Sequence, residues 1–226
     1  MEIISNLIDL FLHIDVYLDV LIDFFGPWSY AILFAIIFME TGFVITPFLP
    51  GDSLLFAVGA FSARGSLNVV VIFIVLFFAA VIGDGVNYWI GHSVGPRVFE
   101  KDYRFLKRAH LVKTQEFYEK HGGKTIVLAR FIPIVRTFAP FVAGVGTMEY
   151  KRFIGYNIIG AFLWTSMFIF LGYFFGNIPI VQENFELLVV GIILISILPM
   201  IIEFLRNRLR KRSVSSTPEP ISSEGP

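Results

Sequence analysis

Residues 130–140 read Arg130-Phe131-Ile132-Pro133-Ile134-Val135-Arg136-Thr137-Phe138-Ala139-Pro140, placing two arginines and two prolines in a stretch otherwise apolar enough for a bilayer. A second stretch answers it with carboxylates: Glu40-Thr41-Gly42-Phe43-Val44-Ile45-Thr46-Pro47-Phe48-Leu49-Pro50-Gly51-Asp52. A charged side chain at the bilayer centre costs about 2.5–3.5 kcal/mol on insertion scales, so it normally has a partner or a task. Proline removes a backbone donor and breaks a helix, and broken helices at membrane depth persist only inside protein or beside a watery cavity. The combination reads as a transport site rather than a passive anchor.

The rest of the 226-residue chain fits a multi-pass membrane protein, being 56% hydrophobic and only 16% charged, with 26 phenylalanines. Phe153 to Gln182 contains no Asp, Glu, Lys or Arg. With no cysteine, disulfides, thiolate catalysis and zinc–cysteine sites are excluded. No Lys or Arg precedes Arg64, a pattern that predicts no cleavable signal peptide.

Net charge is zero, yet the cations cluster. Eight lie between Arg97 and Lys124, two are Lys151 and Arg152, and five fall between Arg206 and Arg212. The segment before them is acidic, with Glu2, Asp9, Asp15, Asp19 and Asp23. The positive-inside rule then predicts that 97–124, 150–152 and the C-terminus face the cytoplasm. Residues 184–205 would run outward-to-inward and 153–177 inward-to-outward. Both ends of 125–147 must then be cytoplasmic, which makes that segment a re-entrant hairpin turning near Pro133 to Pro140. Residues 68–93 would run from outside to inside, so 28–63, broken at Pro47, Pro50 and Gly51, dips in from the opposite face. An alternative treats 28–46 and 48–63 as two short full spans, but the second is only about 24 Å long as a helix, against a bilayer of about 30 Å.

The expected fold is therefore an all-α integral membrane protein. It comprises an inverted repeat of two opposed re-entrant helical hairpins, about three full transmembrane spans and two amphipathic interfacial helices. Each half pairs a proline-broken hairpin with a span ending in Gly-x-x-x-Gly, at Gly91 and Gly95 and at Gly172 and Gly176. The interfacial helices are expected at 3–25, where Asp15, Asp19 and Asp23 share a face, and at 99–121, where basic residues mix with aromatics. One transmembrane domain over 1–212 and a polar cytoplasmic tail over 213–226 complete the organisation.

At Glu40 through Asp52, at Gly83-Asp84-Gly85-Val86-Asn87-Tyr88-Trp89-Ile90-Gly91 and at Arg130 through Gly144, the chain resembles the bacterial DedA family. That family is related to the SNARE-associated, VTT-domain lipid scramblases of eukaryotes. The likeness covers roughly residues 10–205, and the Phe-x-Pro-x-x-Arg element at Phe131–Arg136 with the upstream Pro-Gly-Asp is its most specific part. The resemblance implies a bacterial inner-membrane protein tied to membrane energetics and envelope integrity. Several members resemble translocases that return undecaprenyl phosphate to the cytoplasmic leaflet. The family's acidic pair and arginine pair fall on Glu40, Asp52, Arg130 and Arg136.

The chemistry of these residues supports two roles. Arginine stays charged and grips phosphate bidentately, so Arg130 and Arg136, brought together by a turn at Pro133, suit a lipid phosphate. They equally suit a role as counter-ions for Glu40 and Asp52. Burial and a neighbouring arginine act oppositely on a carboxylate's proton affinity, so a phosphate arriving at the arginines would change carboxylate protonation. Glu40 and Asp52 are the candidate proton carriers, although Asp52 also reads as an N-cap of the return helix. Asp84 and Asn87 share a helix face and, with Asn157, either line the path or bond a neighbouring helix. Pro133, Pro140 and Gly144 are expected as breakers of the second hairpin, as Pro47, Pro50 and Gly51 are of the first.

Enzyme readings fail on the same residues. Gly51-Asp52-Ser53-Leu54 spells a hydrolase signature but lacks the downstream Asp-x-x-His, and Gly91-His92-Ser93 lacks the other motifs of lipid phosphatases. His13, His92, His110 and His121 have no metal-ligand spacing, and no Gly-x-x-x-x-Gly-Lys loop is present. The expectation is therefore a non-enzyme without metal or cofactor. Its partners are membrane lipids, a polyprenyl phosphate and protons, not nucleic acid, and a homo-oligomer is compatible with it. The reading is a proton-motive-force-linked translocase of undecaprenyl phosphate or a similar headgroup. Its rivals are a proton-coupled antiporter of small cations or drugs and a non-transporting scaffold.

Overall fold

The computed structural model describes residues 22–43, 51–95, 108–146 and 148–176, besides the isolated positions 20, 178, 179 and 191. Among these the chain is helical, with no strand. The expected spans appear close to their predicted bounds, while 184–205, the tail, most of 3–25 and the Pro47–Pro50 break lie outside the described residues.

Helix α1 (Ser29–Gly42) is entered through a 3-10 turn at Gly26–Trp28. Gly26 has φ 51°, a left-handed conformation that glycine adopts without Cβ strain, and Ser29 Oγ donates to its carbonyl at 2.6 Å. Ile22–Gly42 is 21 residues of helical, apolar chain, long enough to cross a bilayer. Gly26 interrupts it, however, and the unbroken α1 of 14 residues is about 21 Å long. Helix α2 (Gly51–Ala63) follows, and Gly65, at φ 88°, turns the chain toward α3 (Val69–Val94). Asn68 caps α3, its Oδ1 accepting from Val70 N and Val71 N at 3.0 and 3.2 Å, while its own N–H donates to Tyr30 Oη of α1. Those bonds satisfy donors that a helix start leaves unpaired.

Helix α4 (Arg108–His121) is the described part of the expected interfacial helix. A turn at Gly122–Lys124 leads to the short α5 (Thr125–Ala129), then α6 (Pro133–Val145) and α7 (Tyr150–Phe175). The break falls at Arg130–Ile132, ahead of both prolines. Pro133 is the first residue of α6, where its missing N–H has no intrahelical partner to lose. Pro140 and Gly144, expected as breakers, lie inside α6 instead. The helix persists around Pro140 because packing against α3 holds it, and Gly144 serves that packing.

Packing crosses between the halves. Helix α2 rests mainly on α7, and α6 rests on α3, which α1 also contacts. The crossings are close because glycine lines both. A Cβ at Gly59 would overlap the Ile169 carbonyl and one at Gly172 the Phe56 carbonyl, while Gly144 and Gly91 meet the Tyr88 and Phe141 carbonyls in the same way. Each pair of glycine and facing carbonyl repeats with a three-residue offset along its helix. Small residues that let backbones approach supply the van der Waals contact that holds helices together in lipid, where no hydrophobic force acts between them. Nearly every residue of α2 is buried, and the large apolar side chains left exposed, such as Val70, Phe78, Phe162 and Phe174, lie on the outer faces of α3 and α7.

Candidate functional site

Arg136 stands in the first turn of α6 and reaches both arms of the first half. Its Nη1 donates to Asp52 Oδ1 and its Nη2 to Glu40 Oε1, each at 2.8 Å. Glu40 occupies the last turn of α1, and its Oε1 also accepts from the Gly51 N–H at 3.3 Å. Glu40 thereby supplies a cap to α2 from the end of α1. Asp52, read from sequence as that cap, lies within the first turn of α2 and faces Arg136. A side chain at Gly51 would meet the Glu40 carboxyl group and push it from its present place.

Arg130, just beyond α5, is held separately. Its Nη2 donates to Asp84 Oδ2 of α3 and to Asn157 Oδ1 of α7, at 2.5 and 2.6 Å. Asn157 Nδ2 donates in turn to the Val81 carbonyl at 2.9 Å, which fixes the orientation of the amide. Gly160 leaves the slot for the arginine stem, since a Cβ there would stand 3.1 Å from Arg130 Cδ and Nε. The Arg130 side chain is 3% exposed, whereas those of Arg136 and Asp52 are 14% and 18% exposed. The two arginines thus differ in access as well as in partners.

The expected residues assemble, but in a different pairing. Arg136 alone bridges Glu40 and Asp52, and Arg130 takes Asp84 and Asn157, so of the two roles the sequence leaves open for these residues the structure shows the bond to a neighbouring segment. Asn87, buried on α3, donates from Nδ2 to the Thr41 carbonyl at 3.2 Å and to the Thr137 carbonyl at 3.0 Å. It ties the end of α1 to the start of α6, beside the Arg136 site. Sequence reasoning missed Trp164 of α7. Its Nε1–H donates to Asp52 Oδ1 at 2.8 Å, and the guanidinium carbons of Arg136 and Arg130 lie 4.2 and 5.8 Å from its ring centroid. The only signal available for it was an indole donor within the charge-free run Phe153–Gln182.

With every group ionised, three carboxylates face two guanidinium groups. Buried charges of this kind stay in place only when paired and hydrogen-bonded, and losing one partner costs about 3–5 kcal/mol. Glu40 Oε2 and Arg130 Nε are buried without a hydrogen-bond partner among the described residues. The cluster is therefore tightly paired yet holds unused donor and acceptor capacity.

Comparisons with known proteins agree with this architecture. Residues 49–174 match the VTT domain, a span that contains Asp52, Asp84, Arg130, Arg136 and Trp164. Protein DedA of Escherichia coli K12 is 56% identical over 211 residues, covering 92% of this chain and 96% of its own length. The Mycobacterium leprae membrane protein ML0287 is 41% identical over 180 residues, covering 79% of this chain and 81% of its own. Inner membrane protein YqjA of Escherichia coli K12 is 33% identical over 155 residues, or 67% of this chain and 69% of its own. No solved structure matches. The chain belongs to the VTT-domain, or DedA, family of membrane proteins.

Proposed function

We propose that this protein is an inner-membrane translocase of phosphate-headed lipids, coupled to the proton motive force, with undecaprenyl phosphate as the favoured substrate. The observation that carries the reading is Arg136, a partly accessible guanidinium shared between two carboxylates, one on α1 and one on α2. A lipid phosphate that takes the Nη1–Nη2 face of Arg136 displaces Glu40 and Asp52. The two released carboxylates then share a low-dielectric space with one cation fewer, and one of them takes a proton. Phosphate arrival and proton uptake are linked in this way, and phosphate departure reverses both. The linkage has a use, because moving a negative headgroup to the cytoplasm opposes the membrane potential by about 2.3 kcal/mol per charge per 100 mV. Arg130, enclosed by Asp84, Asn157 and Trp164, sets the field around Arg136 and is the less accessible of the two.

The same reading takes α1–α2 and α5–α6 as opposed re-entrant hairpins of an inverted repeat, with the C-terminus cytoplasmic. The crossed packing of α2 on α7 and α6 on α3, and the lengths of α2 and α6, 13 residues or about 20 Å each, support it. The names of bacterial relatives as membrane and inner membrane proteins support the location. A second reading, a proton-coupled antiporter of small cations or drugs, draws support from the excess carboxylate and from the unused Glu40 Oε2. There the carboxylates bind the substrate and the arginines only tune them.

Headgroup accessibility in proteoliposomes tests the proposal. With undecaprenyl phosphate in both leaflets and a phosphatase outside, wild type should open the inner-leaflet pool to hydrolysis. Arg136→Lys should lose most of that access, because a lysine is a point charge without the fork. Access no better than in empty liposomes, with or without a proton gradient, would favour the antiporter. Full headgroup access in a Glu40→Arg, Arg136→Glu double reversal would sink Arg136 as the phosphate site and leave it a structural ion pair.

A further inference from the structure

Trp164 is a fully buried tryptophan whose three polar and charged contacts all belong to the charge cluster. Its N–H and Arg136 Nη1 converge on one carboxylate oxygen, Asp52 Oδ1, both at 2.8 Å. The same indole carries the Arg136 guanidinium at 4.2 Å from its centroid and has Arg130 at 5.8 Å. Phe168, one helical turn on, presses edgewise on the ring at 6.4 Å and limits its rotation. A tryptophan that served only to fill volume would have no need of a carboxylate on its nitrogen and two arginines at its ring.

We propose that Trp164 is the positioning residue of the translocation step: its ring holds the Arg136 guanidinium and its N–H holds Asp52 while Arg136 exchanges a carboxylate for a phosphate oxygen. The inference rests on the translocase reading above. Its physical content lies in two separable parts. Attraction between a desolvated guanidinium and an aromatic face does not depend on which anion sits at the arginine's edge, so it keeps the fork oriented through the exchange. The indole N–H gives Asp52 a second donor, so Asp52 stays bonded after Arg136 lets go. Glu40 keeps the Gly51 N–H on its Oε1, and its Oε2 has no partner among the described residues.

Two substitutions separate the parts. Trp164→Phe keeps an aromatic face and removes the donor, whereas Trp164→Leu removes both. The readout is the phosphatase-access assay run over a series of mole fractions of undecaprenyl phosphate, giving an apparent KM and a maximal rate. Trp164→Leu is expected to raise the apparent KM about tenfold, the worth of a desolvated cation–aromatic contact. Trp164→Phe should keep KM within about threefold and lower the maximal rate, since binding survives and Asp52 is left with one donor fewer.

A spectroscopic arm uses wild-type contacts. With Trp28→Phe and Trp89→Phe, both at exposed positions, Trp164 becomes the sole tryptophan in phosphatidylcholine nanodiscs. Dodecyl phosphate should change its emission, and Arg136→Lys should abolish the response. The proposal is overturned if folded Trp164→Leu, judged by its melting temperature, transports with the wild-type KM and rate. It is equally overturned if both variants lose activity only in proportion to lost folded protein. Failure of wild type to open the inner pool sinks the translocase reading and this inference together. Wild-type access with an unaltered Trp164→Leu sinks this inference alone.

Discussion

At the scale of single residues, the two arginines are unequal in a way their sequence context conceals. Arg136 has two carboxylates and Arg130 has one, Asp84, supplemented by the Asn157 amide. Removing one carboxylate from Arg136 leaves it neutralised by the other. Removing Asp84 leaves a buried guanidinium with no anion of its own among the described residues, a loss of about 3–5 kcal/mol for a broken buried pair. Asp84→Asn should therefore lower thermal stability in detergent far more than Glu40→Gln, although Glu40→Gln should be the more damaging to coupled transport. Equal melting temperatures for the two variants would contradict the pairing. The sequence exposed all the charged members of this cluster, because charge inside apolar chain is conspicuous. It could not say that Arg130 meets Asp84, 46 positions away, since that depends on how two helices cross. Trp164 was hidden for the opposite reason: an aromatic residue in a membrane helix is ordinary until its neighbours are known.

At the scale of elements, α6 carries an internal proline next to the site. Pro140 has no N–H to offer the Arg136 carbonyl one turn earlier, and an interior proline costs a helix about 3 kcal/mol where nothing compensates. Asn87 bonds the neighbouring Thr137 carbonyl, so the first turn of α6 is anchored partly to α3. Pro140→Ala should raise the melting temperature and lower transport, because it tightens the turn that presents Arg136. A variant that gained both stability and activity would show the loosened turn to be incidental. Sequence reading placed Pro140 at a hairpin tip by its local rule, and the packing of α6 on α3 overrode that rule.

The second element is α4, tied to α6 by Tyr118 Oη, which donates to the Ala139 carbonyl at 2.9 Å. Burial holds the Tyr118 phenol well above the ordinary tyrosine range. The folded chain thus binds that proton more tightly than the unfolded one, so the contribution is complete below about pH 10 and fades as pH climbs beyond it. Tyr118→Phe should cost about 0.5–1.5 kcal/mol near neutral pH. Unfolding measured at pH 8 and at pH 11 should show wild type losing its advantage at the higher value, while the variant stays level by comparison.

At the scale of the whole molecule, each short helix completes the half of the chain it does not belong to. The glycines at these crossings contact backbone, which cannot yield as a flexible side chain can. Gly59→Leu and Gly144→Leu should each abolish accumulation of folded protein, whereas Gly155→Leu, with open space at its Cβ, should accumulate as wild type does. Membrane yield and melting temperature check this directly. The hydrophobic lengths and cation clusters made the spans α3 and α7 legible to within a few residues. The crossings were not, because they are set by which carbonyl faces which glycine, and hydropathy carries no record of that.

Crossed assembly also imposes a timetable on biosynthesis. Asp52 and Glu40 precede Arg136 by 84 and 96 residues, and the chain has no Lys or Arg before Arg64. At ordinary ribosomal speeds the first arm of the site exists for about 4–17 s before Asp52's cation has been synthesised. For that interval two carboxylates and an unpaired α2 belong to a half-made protein with nothing to neutralise or cover them. The α1–α2 segment therefore spends that interval without the α7 packing and the Arg136 bonds that cover it in the finished fold. Its packing is completed only once α7 has been made, although its codons are among the first to be read.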